Sequence, residues 1–423
     1  MSRAVLLTIL IACVGQTIVY GMAVWFARRL GPAGFEAYVI GASVFLLLLA
    51  IAPMGIEKYA LRRLPALLER RDLPAARRFM VFAARRVLAT ATGLAAIGLA
   101  ALWFFGGISP PIRQAIGVGI IALPAAALVH VGLEMLAASG REVVATALLR
   151  VAVPATVLLG FGLIASLPGQ PSGAGAVGAW TLAWYLFVPV LAVAVFRSMP
   201  AGLWRAGGAT VDPLWSQEAV VFWVHRVAIA AMAQAGVIAL ELLSPSPLTV
   251  ASYAAALATV SPAVAMIAAT NRLYARQLAI GLERGDWNAL AALRRTRLLW
   301  LVPVVLAFAA GVIAFAPALM GLFGPEYIAE GVPALRILAA GAALSMILAL
   351  APTYLKFTRQ QAPLLWAVIA AAILQVALLA LLIPRLGAAG AAAAHAVTTV
   401  ALYGTLALVA HRQLRASARE GGA

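Results

Sequence analysis

The sequence predicts an all-α polytopic membrane protein of about twelve transmembrane helices, arranged as two parallel six-helix bundles. Three observations carry that prediction. Apolar stretches about twenty residues long succeed one another along most of the 423 residues, basic residues collect in every second gap between them, and the two halves share a short gap sequence. A helix needs about 20 apolar residues to cross a hydrocarbon core of roughly 30 Å. With 64% hydrophobic and 11% charged residues, and a mean hydropathy of +1.01, this many such runs exclude a water-soluble fold.

In order, the expected spans centre near residues 15, 46, 97, 125, 154 and 185, then 231, 259, 307, 342, 374 and 400. Basic residues are retained on the cytoplasmic side of a membrane. With the N-terminus inside, the inner gaps hold 26 of the 31 Lys and Arg, and the outer gaps hold Arg28, Arg29, Arg113, Arg336 and Arg385. Both termini are therefore expected in the cytoplasm. On this reading the net charge of +17 sets topology and meets anionic headgroups, and does not bind nucleic acid. The basic amphipathic run from Ala60 to Arg86 is expected to lie partly on the cytoplasmic surface.

Cys13 is the only cysteine, which excludes an intramolecular disulfide or a cysteine-based metal site. Leu10-Ile11-Ala12-Cys13 resembles a lipoprotein processing site, but the apolar stretch continues to Phe26, whereas a signal peptide should end at the cysteine. The gaps contain no visible soluble domain, so the working residues are expected within the membrane. No cofactor or metal is implied.

LERRD at Leu68–Asp72 is echoed by LERGD at Leu282–Asp286, with an Arg pair after each, Arg77-Arg78 and Arg294-Arg295. Tyr38 and Tyr253, and Tyr59 and Tyr274, keep nearly the same offset. This points to an internal duplication: a first lobe over residues 1–196, a Pro/Gly-rich cytoplasmic linker over 197–214, and a second lobe over 215–423. Six spans per lobe give both lobes one orientation. Transporters built from such repeats place the substrate path near the midplane between them.

The segment RRLGPAGFEAYVIGASVFLLLLAIAPMGIEKYALRR (Arg28–Arg63) resembles the first hairpin of polysaccharide-biosynthesis membrane proteins, the Wzx-type oligosaccharide flippases. FGPEYIAEGVPALRIL (Phe323–Leu338) and LIPRLGAAGAAAAHAV (Leu382–Val397) are similar to that family's late outer loop and last hairpin. The resemblance implies the multidrug/oligosaccharidyl-lipid/polysaccharide (MOP) exporter fold, close to that of MATE transporters. It also implies movement of a polyprenyl-diphosphate-linked oligosaccharide across a bacterial inner membrane. One departure is Gln234-Ala235-Gly236, where the seventh helix of many relatives carries an acidic residue. Ion coupling through that helix is not expected here, and Gln234 is taken as a cavity residue.

Ionisable residues inside spans are costly and usually face a wet cavity or a partner. Arg150 falls roughly 10 Å into the fifth span, and His225 and Arg226 are similarly placed in the seventh, with Glu218 two turns earlier. Facing a cavity, the guanidinium groups would meet the diphosphate of a lipid-linked substrate, because their planar donors match phosphate oxygens. The alternative is that Arg226 pairs with Glu218, or that both arginines extend to the cytoplasmic headgroups. His130 and Glu134 share one face of the fourth helix and form a candidate proton-coupling pair, or satisfy their own polar groups near a helix end. Gln16, Tyr20, Trp184 and Tyr185 are candidate sugar contacts, with interfacial or packing roles as the alternative. Asn271 and Arg272 could draw an anionic headgroup inward, and His395 is expected to pack in an Ala-rich stretch.

The leading expectation is therefore a flippase and not an enzyme. Its partners would be the lipid-linked oligosaccharide, membrane lipids and polysaccharide-assembly proteins such as a polymerase, and it would act as a monomer. A membrane glycosyltransferase or ligase would need acids on a sizeable outer loop, yet Asp72, Asp212 and Asp286 all fall in inner gaps, and no GxSxG, HExxH, Walker A or DxD pattern occurs. A cation-coupled drug exporter of the same fold would need intramembrane acids, of which Glu134 and Glu218 are the candidates.

Overall fold

The computed structural model describes residues 3–104, 106–207, 214–262, 287–348, 355 and 361–420, and every regular element among them is helical. Nine of these helices are long and apolar enough to cross a membrane. Two, Leu10–Ile51 and Pro363–Arg412, have 42 and 50 residues, about twice the length of one span.

Both long helices are broken at a glycine. In α1 (Arg3–Ile51) the break is Gly31, with φ 66° and ψ 177°, followed by Pro32. In the last helix, Gln361–Glu420, it is Gly387, with φ 53° and ψ −127°. Both lie in the same six-residue pattern, RLGPAG at Arg29–Gly34 and RLGAAG at Arg385–Gly390. An L side chain is strained in these backbone regions, so glycine lets the chain leave one span and enter the next without a longer loop. Each of the two helices thus supplies a pair of expected spans.

The remaining helices follow the expected order. They are α2 (Ile56–Glu69), α3 (Leu73–Phe104), α4 (Pro110–Ala138), α5 (Glu142–Ala147), α6 (Val153–Ser166), α7 (Gly173–Ser198) and α8 (Leu214–Leu243). After them come α9 (247–262), α10 (Trp287–Ala314), α11 (Ala316–Gly321), α12 (Ile328–Leu348) and the broken α13 (Gln361–Glu420). A π-helical segment, Leu148–Ala152, joins α5 to α6. The rest of the eighth expected span, with Asn271, Arg272, Tyr274 and the repeat at Leu282–Asp286, lies outside the described residues.

The chain separates into two compact units. The first comprises Met1–Met22 and Arg29–Gln234, and the second comprises Ala23–Arg28 and Ala235–Ala423. In the first unit α4 is the central helix, packed on α2, α3 and α7. Its buried face is rich in small residues, among them Ala115, Ala122, Ala125, Ala126 and Ala127. Small residues let backbones approach where water supplies no driving force between helices. The fit is close: a Cβ placed on Gly41 of α1 would stand 2.9 Å from the Ala115 carbonyl carbon. In the second unit α12 lies along α13, where Gly341 meets Ala396 directly, and Ala391, Ala392 and Ala394 are fully buried. Also in the second unit, the Arg28 guanidinium donates to the Leu322 carbonyl at 2.6 Å, capping the end of α11.

Candidate functional site

The first unit contains a backbone break between α1 and α2. Helix α1 stops at Ile51, and Ala52–Gly55 turns through Met54 (φ 51°) and Gly55 (φ 76°) before α2 begins. The turn is buried rather than looped into solvent, with Ala52 at 1% exposure and Ile56 at 2%. Carbonyls released at a helix end need donors in such a place. The indole N–H of Trp223 on α8 donates to the Ile51 carbonyl at 2.9 Å, and the Thr90 hydroxyl on α3 donates to the Ala52 carbonyl at 2.6 Å.

The restart of α2 places two charges side by side. Glu57 is fully buried in the first turn, where a helix N-terminus favours an acid, and its Oε1 accepts from Nη1 of Arg226. Trp223 and Arg226 are three residues apart, so one face of α8 holds both sides of the break. Lys58, the next residue of α2, donates to Oε1 of Glu134 on α4.

His130 stands one turn before Glu134. Its Nδ1 lies 2.8 Å from the Ala126 carbonyl, and its ring centroid is 5.3 Å from that of Trp184. Arg226, Lys58 and Arg150 are all near enough to His130 to act on it electrostatically. Arg150 sits in the π-helical segment, with its backbone pressed against Gly15 of α1. A π-turn shifts the register of the side chains beyond it and often marks a functional position. Among the described side chains, the assembled group is thus Glu57, Lys58, His130, Glu134, Arg150 and Arg226, with three cations and two carboxylates.

The other sequence-derived candidates scatter around this cluster. Gln16, Tyr20, His225 and Gln234 are half-buried in the first unit. Trp184 is 4% exposed, covered by Trp180 with centroids 6.0 Å apart and by Phe45 at 6.5 Å, whereas Tyr185 turns outward and donates to the Ile121 carbonyl at 3.0 Å. Arg272 and the side chain of Glu218 lie outside the described residues. The carboxylate observed on Arg226 belongs to Glu57, 169 residues away in sequence. His130 and Glu134 engage different partners, Ala126 and Lys58 respectively.

Glu57 and Lys58 escaped the sequence reading because they follow the second apolar run and pass for ordinary interfacial charge. The available signal was Pro53-Met54-Gly55, a helix breaker directly ahead of an acid.

The class defined by this architecture is a helical membrane protein with the fold of MOP superfamily transporters, and solved structures match nearly its whole length. An inward-facing multidrug resistance MATE family transporter of that superfamily aligns over 98% of this chain and 99% of its own, with a TM-score of 0.74 at 14% identity. A MOP superfamily transporter from Pyrococcus furiosus, described as having a binding pocket of reverse polarity, aligns over 99% of both chains with a TM-score of 0.70 at 16% identity. An outward-facing multidrug resistance MATE family transporter gives a TM-score of 0.71 at 16% identity over 98% of this chain and 96% of its own. No protein-family model and no curated protein matches the chain.

Proposed function

We propose that this chain is a flippase that moves a polyprenyl-diphosphate-linked oligosaccharide from the inner to the outer leaflet of a bacterial inner membrane by alternating access, for cell-surface polysaccharide assembly. The observation that carries the reading is the excess of cations among the described side chains of the polar cluster: Lys58, Arg150 and Arg226 beside Glu57 and Glu134. Arginines in a partly dehydrated setting suit a diphosphate, which offers several acceptor oxygens and two charges. The oligosaccharide head would follow the polar path while the lipid tail stays in the bilayer. The charge bias of the sequence supports a cytoplasmic position for both termini and for the α1–α2 break, where such a substrate is made. In that orientation the cluster stands at the entry side.

A second reading is a cation-coupled drug exporter. It is supported by the structural neighbours described as multidrug resistance transporters and by the acids Glu57 and Glu134. Both acids are already matched by a cation, which favours an anionic substrate over a cationic one.

The test is a gene deletion followed by leaflet-resolved detection of lipid-linked glycan in spheroplasts, complemented with wild type, Arg150→Ala or Arg226→Ala at equal protein levels. Inner-leaflet accumulation rescued by wild type but not by the variants supports the flippase. Normal arrival of the glycan at the outer leaflet, combined with new sensitivity to cationic drugs, would transfer the case to the exporter.

A further inference from the structure

We propose that the exposed face of α3 carries a binding site for anionic phospholipid headgroups, formed by Arg78 and Arg85 and completed by Arg197, Trp204 and Arg205 from the segment docked beside it. The inference does not depend on what the protein transports.

Helix α3 marks its own depth in a bilayer. Arg78, Arg85, Leu88, Thr92, Leu99 and Trp103 follow one another at intervals of three, four or seven residues, so they share one face, and all six are exposed. No charge interrupts the helix from Val87 to Phe104. Trp103 is 85% exposed, as suits an aromatic ring at a membrane interface. Arg85 stands about 27 Å along the axis from Trp103, close to the thickness of a hydrocarbon core of roughly 30 Å. Arg85 therefore reaches the opposite interface, and Arg78 lies about 10 Å beyond it, among the headgroups. The apolar face of α2 does not compete for this position, because Tyr59, Leu64 and Leu67 are buried and α2 packs on α3 and α4.

A second observation comes from a different part of the chain. Arg77, next to Arg78, donates from Nη1 to the Ala206 carbonyl at 2.6 Å, and Leu203 is fully buried in a 3₁₀ turn, Leu203–Arg205, that packs on α3. These contacts pin the turn at the level of Arg78. The pinned turn presents Trp204, stacked on the exposed Phe196 with centroids 5.3 Å apart, and exposed Arg197 and Arg205 flank the pair. Aromatic rings bordered by cations settle at headgroup depth.

Phosphate is the matching ligand because the protein does not supply an anion. Among the described residues no hydrogen-bond or ion-pair partner is found for Arg78, Arg85, Arg197 or Arg205. On the helices packed with α3, Glu57 holds Arg226 and Glu134 holds Lys58, while Asp72 accepts from the Ala75 N–H at 3.1 Å and Glu69 ends α2 at the turn of the hairpin. Cations directly beyond a membrane span draw anionic lipids to them. A zwitterionic headgroup offers the same phosphate but brings its own ammonium, so the site prefers a lipid of net negative charge.

The test titrates the full chain in a mild detergent with phosphatidylglycerol or with phosphatidylcholine of identical acyl chains, and counts bound lipid by native mass spectrometry. Wild type should take up phosphatidylglycerol in preference. Arg78→Gln with Arg85→Gln should weaken phosphatidylglycerol binding about tenfold and leave phosphatidylcholine unchanged. Arg78→Lys with Arg85→Lys keeps the charge and should keep the preference, which a structural role of the guanidinium groups would not predict. Arg70→Gln with Arg71→Gln removes the same charge at the turn of the hairpin, about 10 Å beyond Arg78 and a screening length further from the headgroups, and should leave binding near wild type. Equal losses in the two Gln pairs would overturn the site in favour of diffuse attraction by net charge, and no loss in the Arg78 and Arg85 pair would overturn it outright. If that pair instead lost binding to polyglutamate while phosphatidylglycerol binding held, the face would be one for an acidic protein and the lipid site would fall.

Discussion

Lys58 donates to Glu134 while its neighbour Glu57 receives Arg226, so two successive residues of α2 are tied to two different helices, α4 and α8. The two ion pairs differ in burial, and so in what their loss costs. Lys58 is 45% exposed and Glu134 21%, whereas Glu57 is fully enclosed. Lys58→Met should lower stability by about 0–1 kcal/mol, as for exposed pairs. Arg226→Gln strands a buried carboxylate and should cost about 3–5 kcal/mol. Adding Glu57→Gln to Arg226→Gln should recover much of that loss, measured by thermal unfolding of the purified protein.

The α1–α2 break depends on two side-chain donors. Trp223→Phe keeps the ring but removes the N–H that serves the Ile51 carbonyl, and Thr90→Val does the same for Ala52. Thr90→Val should cost about 1–3 kcal/mol, since the buried Ala52 carbonyl loses its side-chain donor, and Trp223→Phe about 0.5–1.5 kcal/mol, since the Ile51 carbonyl keeps the Met54 N–H at 3.2 Å. A far-ultraviolet circular dichroism spectrum like that of wild type, together with a lowered unfolding temperature, would locate the effect at the break and not in the helices. An unchanged unfolding temperature in both variants would count against it.

The hairpin glycines separate backbone strain from crowding. Nothing stands within 4 Å of a Cβ built on Gly31, so Gly31→Ala tests its φ of 66° and ψ of 177° alone, and should cost on the order of 1–3 kcal/mol. Gly93, inside α3, has equally open surroundings without that backbone demand, and Gly93→Ala should be neutral or mildly stabilising. Parallel melting curves of the two variants make the comparison.

Gly15 presses on the backbone of the π-helical segment at Arg150, and an added methyl cannot be absorbed by rotating a side chain. Gly15→Ala should displace the segment and lower the proposed leaflet transfer along with Arg150→Ala, whereas Gly21→Ala on the same helix, with open space around it, should leave it near wild type. Equal transfer by Gly15→Ala and Gly21→Ala would dissociate the π segment from the activity.

The helices were legible in the sequence because span length is set by bilayer thickness, a constraint that every apolar run displays locally. The glycine breaks were legible only in part: separate spans were expected on either side of Gly31 and of Gly387, with Arg28, Arg29 and Arg385 in the outer gaps, but not that a single glycine would stand in for each loop. The cluster was harder. Arg150, Arg226, His130 and Glu134 announce themselves as charges inside apolar runs, but the partner of Arg226 depends on which helices touch. Sequence proximity favoured Glu218, and three-dimensional packing supplies Glu57. Lys58 was read as one more inner-gap cation, although it reaches Glu134. For Trp184 residue type left a sugar contact and a packing role both open, and the structure packs its ring against Trp180 and Phe45.

The buried break between α1 and α2 imposes an order on biosynthesis. When the ribosome has delivered α2 to the membrane, Glu57 already needs its partner and the Ile51 carbonyl has the Met54 N–H of its own turn, yet Arg226 and Trp223 are encoded 169 and 172 residues further on. At about 5–20 residues per second, roughly ten to thirty seconds of translation separate the two events. During that interval the buried Glu57 carboxylate must stay hydrated near the headgroups or be shielded by insertion machinery, and a chain terminated before Trp223 lacks both donors that α8 brings to the break.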